Sequence, residues 1–455
     1  LEEEKMMQRL IKKALVLATM EESRQPISNG YVLIEDAFIK EVGSGDAAHL
    51  QAEQVIDASH KVVLPGFVNT HHHLFQTLTR AYPPALDAEL FDWLVSLYPV
   101  WARLDEEAVR LAALVGMAEL MLSGCTTTTD HHYLFPRGQP RLIDVQIDAA
   151  RQIGMRFHPT RGSMSLSQKD GGLPPDSVVQ SEDEILKDSE RVVDLYHDPR
   201  PGAMTRIALA PCSPFSVTPE LMRETARLAR DKRVRLHTHL AETKDEEVYC
   251  LEKYGVRPVE LLETTEWMGD DVWLAHGIHF NDEEVTRLGR ARVGVAHCPS
   301  SNMRLGSGVC RVNDLRRAGG PVGLGVDGSA SNDGSHALAE VRQALLLTRL
   351  IHGASAMKIM DALHLATVGS AACLGREDIG TLTPGKAADI AIFALDDLGY
   401  SGAGDPLAAL LLCQPTRVDT LIINGRVVVE DGALTALDID PIIQQHRQKA
   451  QQLIA

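Results

Sequence analysis

Pro65-Gly66-Phe67-Val68-Asn69-Thr70-His71-His72-His73 is an apolar run that ends in three histidines. It reads as a β-strand delivering imidazoles at its C-terminal end. Side chains alternate faces along a strand, so His71 and His73 project together and His72 projects the other way. Two imidazoles at i and i+2 can grip one metal ion. A chance surface cluster of histidines is the bland alternative, and the apolar strand in front of them argues against it.

The same design recurs down the chain. Candidate strands are Val63–Thr70, Thr126–Asp130, Met155–Pro159, Arg206–Ala210, Val234–His239, Val272–His276, Val293–His297 and Val322–Val326. Helical patterns fall between them, at Glu106–Leu122, Leu142–Ile153, Pro219–Arg230, Pro258–Glu263, Glu283–Gly289 and His336–His352. Eight strands alternating with helices, with no doubly wound dinucleotide fingerprint, predict an α/β protein built on a (β/α)8 barrel. Chemistry in such a barrel sits at the C-terminal mouth. Gly171-Gly172-Leu173-Pro174-Pro175, after the third strand, reads as a loop that could cover that mouth.

The two ends of the chain differ from its middle. Ala14–Ala18, Gly30–Glu35, Phe38–Val42 and Gln54–Leu64 are short β-rich runs, as are Ala388–Ala394 and Thr420–Glu430. The last carries an Asn424-Gly425 hairpin signal between two aliphatic triplets. These runs predict a small β-sandwich made from both termini, residues 8–64 and 380–435, around a barrel at 65–379, with a C-terminal helix over 436–455.

The 455 residues suit a barrel plus a smaller module, and 44% hydrophobic residues are ample for its core. A formal net charge of −17 makes nucleic acid a poor partner. No stretch is apolar and long enough to span a bilayer, and Leu1 to Lys13 lacks an apolar signal core. The seven cysteines (Cys125, Cys212, Cys250, Cys298, Cys310, Cys373 and Cys413) are odd in number and form no C-x-x-C pair. They read as reduced thiols in a cytoplasmic protein.

Three further signals join the first. His237-Thr238-His239 with Glu242 lies at the end of the fifth strand, His276 ends the sixth, and Asp327 ends the eighth. Any one alone could be a satisfied residue at the barrel mouth. Several in strand order are hard to ascribe to coincidence.

On these residues the chain resembles the amidohydrolase superfamily, in its purine and pyrimidine deaminase branch, from Gly66 through Asp327 and into the C-terminal β runs. The resemblance implies metal ligands His71, His73, His239 and Asp327. It also implies a proton-shuttling Glu242 and a His276 that orients the nucleophile or polarises the substrate. Dinuclear members carry a lysine at the end of the fourth strand. Here that stretch is Ile207-Ala208-Leu209-Ala210-Pro211-Cys212-Ser213-Pro214, with no lysine, so one metal is expected. Nitrogen and oxygen ligands suit Zn²⁺, with Fe²⁺ tolerable.

Gln76 could read the edge of a lactam-containing base, or simply cap a loop. Arg161 could donate to a ring carbonyl, or form a structural ion pair. Trp93 could stack on a planar base, or pack in a helix core, and His132 could line the pocket or be polar packing. Loop stretches such as Leu90-Phe91-Asp92-Trp93 and Arg161-Gly162-Ser163-Met164 resemble the 8-oxoguanine deaminase group. That likeness implies a purine substrate with water as co-substrate, 8-oxoguanine giving urate and ammonia, with isoguanine as a second substrate. Hydroxyatrazine-type triazine aminohydrolases use the same machinery and are the alternative. A catalytically inert scaffold, the alternative of another class, would show gaps among the ligands, and none is visible. By analogy with such barrels a homo-oligomer is expected.

Overall fold

The computed structural model describes residues 7–22 and 25–455; the first residues of the charged start lie outside it. Eight parallel strands close into a barrel: Phe67–Asn69, Cys125–His132, Arg156–Ser163, Ala208–Pro211, Arg235–Leu240, Val272–His276, Gly294–His297 and Val322–Leu324. Helices follow the strands as the apolar periodicity predicts. Glu106–Leu122 and Leu142–Ile153 have the expected limits, and Pro219–Lys232 and Asp282–Arg290 run one or two residues further. The helix at Glu106 starts where Asp105 accepts the N–H of Ala108, and that at Pro219 where Thr218 accepts the N–H of Leu221.

The strand expected over 63–70 is two strands. Lys61–Pro65 pairs with Ile390–Ala394 in a separate sheet, and only Phe67–Asn69 enters the barrel. Gly66 makes the break possible. A Cβ there would lie 2.1 Å from the Thr126 side chain, so the chain turns against its neighbour only without one.

The expected β-sandwich has two sheets. One, in the order Phe38–Ser44, Gly30–Glu35, Gln8–Ala14, Gln54–Asp57, comes from the N-terminal part alone. The other joins Val16–Leu17 and Lys61–Pro65 to Ile390–Ala394, Thr420–Ile423, Arg426–Glu430 and Ala433–Leu434, so both ends of the chain share it. Ile11, Val32 and Ile34 of the first sheet pack with Leu17, Val63, Ile390 and Ile422 of the second. The hairpin at Asn424-Gly425 turns with φ of 51° and 76°, which is why those two residues occupy it.

Arg156, at the start of the third barrel strand, bonds both oxygens of Asp389 at 2.8 Å and the carbonyls of Gly202 and Ala203 at 2.7 Å. Asp389 also accepts the N–H of Asn424 at 2.8 Å. This buried, fully bonded pair fixes the sandwich to the floor of the barrel. At the C-terminus, Ile439–Ile454 lies on the helix Glu106–Leu122, with His446 Nε2 3.0 Å from Thr77 Oγ1. Among the described residues no helix is long and apolar enough to cross a membrane, and all seven cysteines are free thiols.

Candidate metal and catalytic centre

The mouth of the barrel gathers the polar ends of strands one, five, six and eight. His71 and His73 leave the first strand on one face, and His72 turns away to meet Ser335 Oγ at 3.0 Å. His239 comes from the fifth strand and His276 ends the sixth. Asp327 stands beyond the eighth strand, which ends at Leu324 rather than at Val326 as expected. Its N–H reaches the carbonyl of His71 at 3.1 Å, and that of Val326 reaches Asn69 Oδ1 at 2.8 Å. His276 and Asp327 have φ of 72° and 61°, left-handed backbone that non-glycine residues seldom adopt and that clusters at functional sites.

Hydrogen bonds on the far side of each ring fix its tautomer. His73 Nδ1 lies 2.9 Å from the carbonyl of His131, and His239 Nδ1 lies 2.6 Å from that of Cys212. A carbonyl only accepts, so both Nδ1 atoms carry the proton and both Nε2 atoms present lone pairs. His237 Nδ1 donates to the carbonyl of Trp273 at 2.9 Å, which leaves its Nε2 to accept from His71 Nδ1 at 2.8 Å. His71 Nε2 is therefore a third lone pair, buried and without a hydrogen-bond partner.

These lone pairs converge. His73 Nε2 and His239 Nε2 are 3.1 Å apart, and Asp327 Oδ1 lies 3.3 Å from His71 Nε2 and 3.4 Å from His73 Nε2. Acceptors facing acceptors repel unless a cation stands among them. Spacings of 3.1–3.4 Å are those of a tetrahedron with corners roughly 2 Å from its centre, the bond length of zinc to nitrogen or oxygen. The residues fit one metal ion. Burial holds His71 and His239 below the ordinary histidine value, so both rings are neutral and able to ligate. His131 and His237 also lie close to the cluster. His237 is engaged as the partner of His71, and His131 Nε2 is 3.0 Å from the carbonyl of Ala210.

Glu242 and His276 stand beside these converging donors, with Glu242 Oε2 3.4 Å from His276 Nε2. Burial raises the Glu242 carboxyl to about 7. Burial alone would lower His276, but the charges of Glu242 and Asp327 outweigh it and raise that ring above its usual value. Against the upward push of burial, the charge of the raised His276 helps hold Asp327 well below the carboxylate range. Two carboxyls pushed apart in this way are suited to opposite proton tasks. Asn302 Oδ1 accepts from His276 Nδ1 at 3.0 Å, and Glu246 accepts the N–H groups of Ala241 and Glu242 at 2.7 and 3.3 Å.

Next to this cluster is a cavity of about 420 Å³, its opening included, lined by His73, Gln76, Trp93, Tyr133, His239, Glu242, His276 and Asp327 among others. Gln76 Oε1 accepts from Ala330 N at 3.3 Å, and Trp93 Nε1 donates to Ala330 O at 3.1 Å, so both side chains are held in place. Leu90, Trp93, Leu94 and Tyr98 present one face of the helix Leu90–Trp101 to the cavity. The cavity wall thus comes from this helix and not from the expected loop. Gly171–Pro175 is absent from the lining, and Leu173 packs behind it among apolar side chains.

Arg161 does not meet the expectation that it faces substrate. It points out of the barrel, with Nε 2.9 Å from Asp188, Nη2 2.8 Å from Gln180 and its guanidinium 4.1 Å over the Phe135 ring. His132 is likewise outside, 3.3 Å from Gln146 Nε2. Cys212 lines the cavity as a neutral thiol, pushed up to about 12 by burial. Tyr133, Tyr98, Asn302 and Glu246 carry no signal of their own in the sequence, and His237 stands in the quoted motif without a role assigned to it. Its role is legible from parity, because it shares the face of His239 two residues on.

A parallel barrel whose mouth collects unpaired imidazole lone pairs around an aspartate defines a metal-dependent barrel hydrolase. The chain belongs to the amidohydrolase family, whose model matches residues 62–428. It is 56% identical over 427 residues to the 8-oxoguanine deaminase of Pseudomonas aeruginosa, covering 94% of this chain and 95% of that one. It is 40% identical over 400 residues to the hydroxydechloroatrazine ethylaminohydrolase of Pseudomonas sp. strain ADP, covering 85% and 82%. Among solved structures, the atrazine chlorohydrolase of Arthrobacter aurescens TC1 complexed with zinc superposes with a TM-score of 0.92 at 33% identity, covering 98% of this chain and 100% of that one.

Proposed function

We propose that the protein is a zinc-dependent hydrolytic deaminase of a purine base, converting 8-oxoguanine and water to urate and ammonia, with isoguanine as a second substrate. The observation that carries the reading is the pairing of a protonatable Glu242 with His276 over the convergent Nε2 set of His71, His73 and His239. The 8-oxoguanine deaminase likeness supports the choice of base, and the nitrogen and oxygen donors support Zn²⁺, with Fe²⁺ tolerable.

An amino group on an aromatic ring leaves poorly, so the reaction needs a strong nucleophile and two well-placed protons. A divalent cation, when bound, lowers the pKa of coordinated water to about 7 and so supplies the nucleophile. Asp327, held ionised, is placed to accept a proton from the attacking water. Glu242 protonates the ring nitrogen next to the attacked carbon, so negative charge does not build there. His276, held by Asn302, donates through Nε2 to the oxygen that develops charge. The tetrahedral carbon then collapses: the proton held by Asp327 passes to the exocyclic nitrogen, the C–N bond breaks to release ammonia, and the hydroxyl proton goes to Glu242 as the carbonyl forms, which restores both carboxyls. Gln76 faces the edge of the base and Trp93 its plane, while the apolar helix Leu90–Trp101 limits the water that enters.

The hydroxydechloroatrazine ethylaminohydrolase likeness favours a second reading, a triazine as substrate. Purified enzyme loaded with zinc and offered 8-oxoguanine, isoguanine, guanine, cytosine and hydroxyatrazine separates the two. The expected outcome is ammonia from 8-oxoguanine at the highest kcat/KM, and loss of turnover after chelation. Alkylamine release from hydroxyatrazine as the fastest reaction would overturn the purine assignment.

A further inference from the structure

At the opposite end of the barrel, the starts of strands three to six surround a second cavity of about 820 Å³, its opening included. It shares no lining residue with the cavity at the mouth. Its wall carries Arg206, Arg230, Arg233 and Arg235 with His158 and His197. Asp271 is the only carboxylate among the described lining residues, and Arg230 Nε already holds it at 2.9 Å. Asp378, 4.0 Å from Arg206, is taken up by Arg376 at 2.7 Å. In a chain of net charge −17 this is a local concentration of the opposite sign.

Several of these donors have no acceptor. His158 is 2% exposed, and neither of its ring nitrogens has a hydrogen-bond partner. Arg206 gives Nη2 to the carbonyls of Pro199 and Arg200 and Arg235 gives Nη2 to that of Cys373, yet the Nε of each is buried and unpartnered. The Arg233 side chain is exposed, with no ion pair or hydrogen bond among the described residues. A buried polar group without a partner is destabilising, so several around one cavity call for an acceptor inside it. Water can accept hydrogen bonds, but it does not offset the repulsion of neighbouring guanidinium groups. Burial and the nearby Arg376 already draw Arg206 down to about 10.

We propose that this cavity binds a phosphate dianion, free or carried on a small molecule, through the guanidinium groups of Arg206, Arg233 and Arg235 and the imidazole of His158. Guanidinium suits phosphate because its planar fork offers parallel N–H groups to two oxygens.

The test is calorimetric titration of the zinc-loaded enzyme with inorganic phosphate at constant ionic strength, with chloride as control and a nucleoside monophosphate as a second arm. The expected result is one saturable site per subunit and a thermal midpoint that rises with phosphate. R206Q/R233Q should weaken binding by about tenfold or more. R233Q alone changes an exposed, unbonded side chain and keeps the proposal testable if the double variant fails to fold; it should weaken binding about twofold to fivefold. Tighter binding of the monophosphate supports a phosphate ester as ligand, and tighter binding of phosphate supports the free anion. No heat beyond chloride, or unchanged affinity in both variants, would overturn the proposal; the latter would place the anion at the metal centre.

Discussion

The two ends of the barrel both collect buried histidines but set them in opposite company. At the mouth, His71, His73 and His239 face one another and Asp327, so the site gathers lone pairs and negative charge and calls for a cation. On the floor, His158 faces Arg206 and Arg235 and calls for an anion, while Arg156 and Asp389 have satisfied each other and call for nothing. His71, His158 and Arg156 are all buried, so burial does not distinguish the three places. What separates a reactive group from a structural one is whether its hydrogen bonds close on the protein. Substitutions at the mouth should therefore change rate and leave the fold standing, and substitutions in the closed joint should do the reverse.

The largest effect is expected at Glu242. Glu242→Gln keeps the volume and the metal but removes the proton, and kcat should fall by about 10²–10⁴-fold with zinc content unchanged. Because the carboxyl titrates near 7, wild-type kcat should decline as pH rises through that value and the proton is lost. Ammonia release and metal analysis on the same preparation check both points. Near-normal turnover would remove Glu242 from the mechanism.

Arg156→Met tests the other half of the comparison. It leaves Asp389 buried without its cation and should cost about 3–5 kcal/mol of stability. Since the joint is at the floor, kcat at a temperature where the variant is folded should match the parent. A variant of unchanged thermal midpoint, or one folded but inactive, would break the division of labour between the two ends.

Much of the mouth was legible because strand parity is simple. H-x-H at 71 and 73 and at 237 and 239 puts alternate imidazoles on one face, and Glu242 follows its histidine closely. Parity could also have placed Arg161. It shares a face with Phe157, which packs in the core outside the barrel, whereas His158 is on the inward face against Trp273. The chemistry of a guanidinium does not say which face of the strand carries it; parity does. Other features have no local signal. The left-handed backbone at His276 and Asp327, the break at Gly66 and the closing helix Leu90–Trp101 arise from contacts between distant segments. Arg161→Met should accordingly lower stability by about 1–3 kcal/mol, through the partners left at Asp188 and Gln180, and shift kcat/KM by less than about tenfold. A larger loss with intact stability would return Arg161 to the substrate site.

Glu246 lies between the two kinds of group. It is as buried as Glu242 and only four residues away, but its oxygens close on the backbone of Ala241 and Glu242, so its task is to hold the turn that aims Glu242. Burial raises its carboxyl to about 8 despite those two bonds. A carboxyl whose folded value exceeds its unfolded value of about 4.3 binds more protons when folded, so its contribution is complete at low pH and is lost as pH rises toward 8. In that window wild-type stability should fall relative to Glu246→Gln by up to about 1.4 kcal/mol per pH unit, because glutamine has the same shape and does not titrate. Denaturant midpoints of both proteins between about pH 5 and pH 9 measure the difference directly. Parallel curves would mean that the two backbone N–H groups keep Glu246 ionised throughout, making it a fixed negative charge behind the site and a further reason for Glu242 to hold its proton.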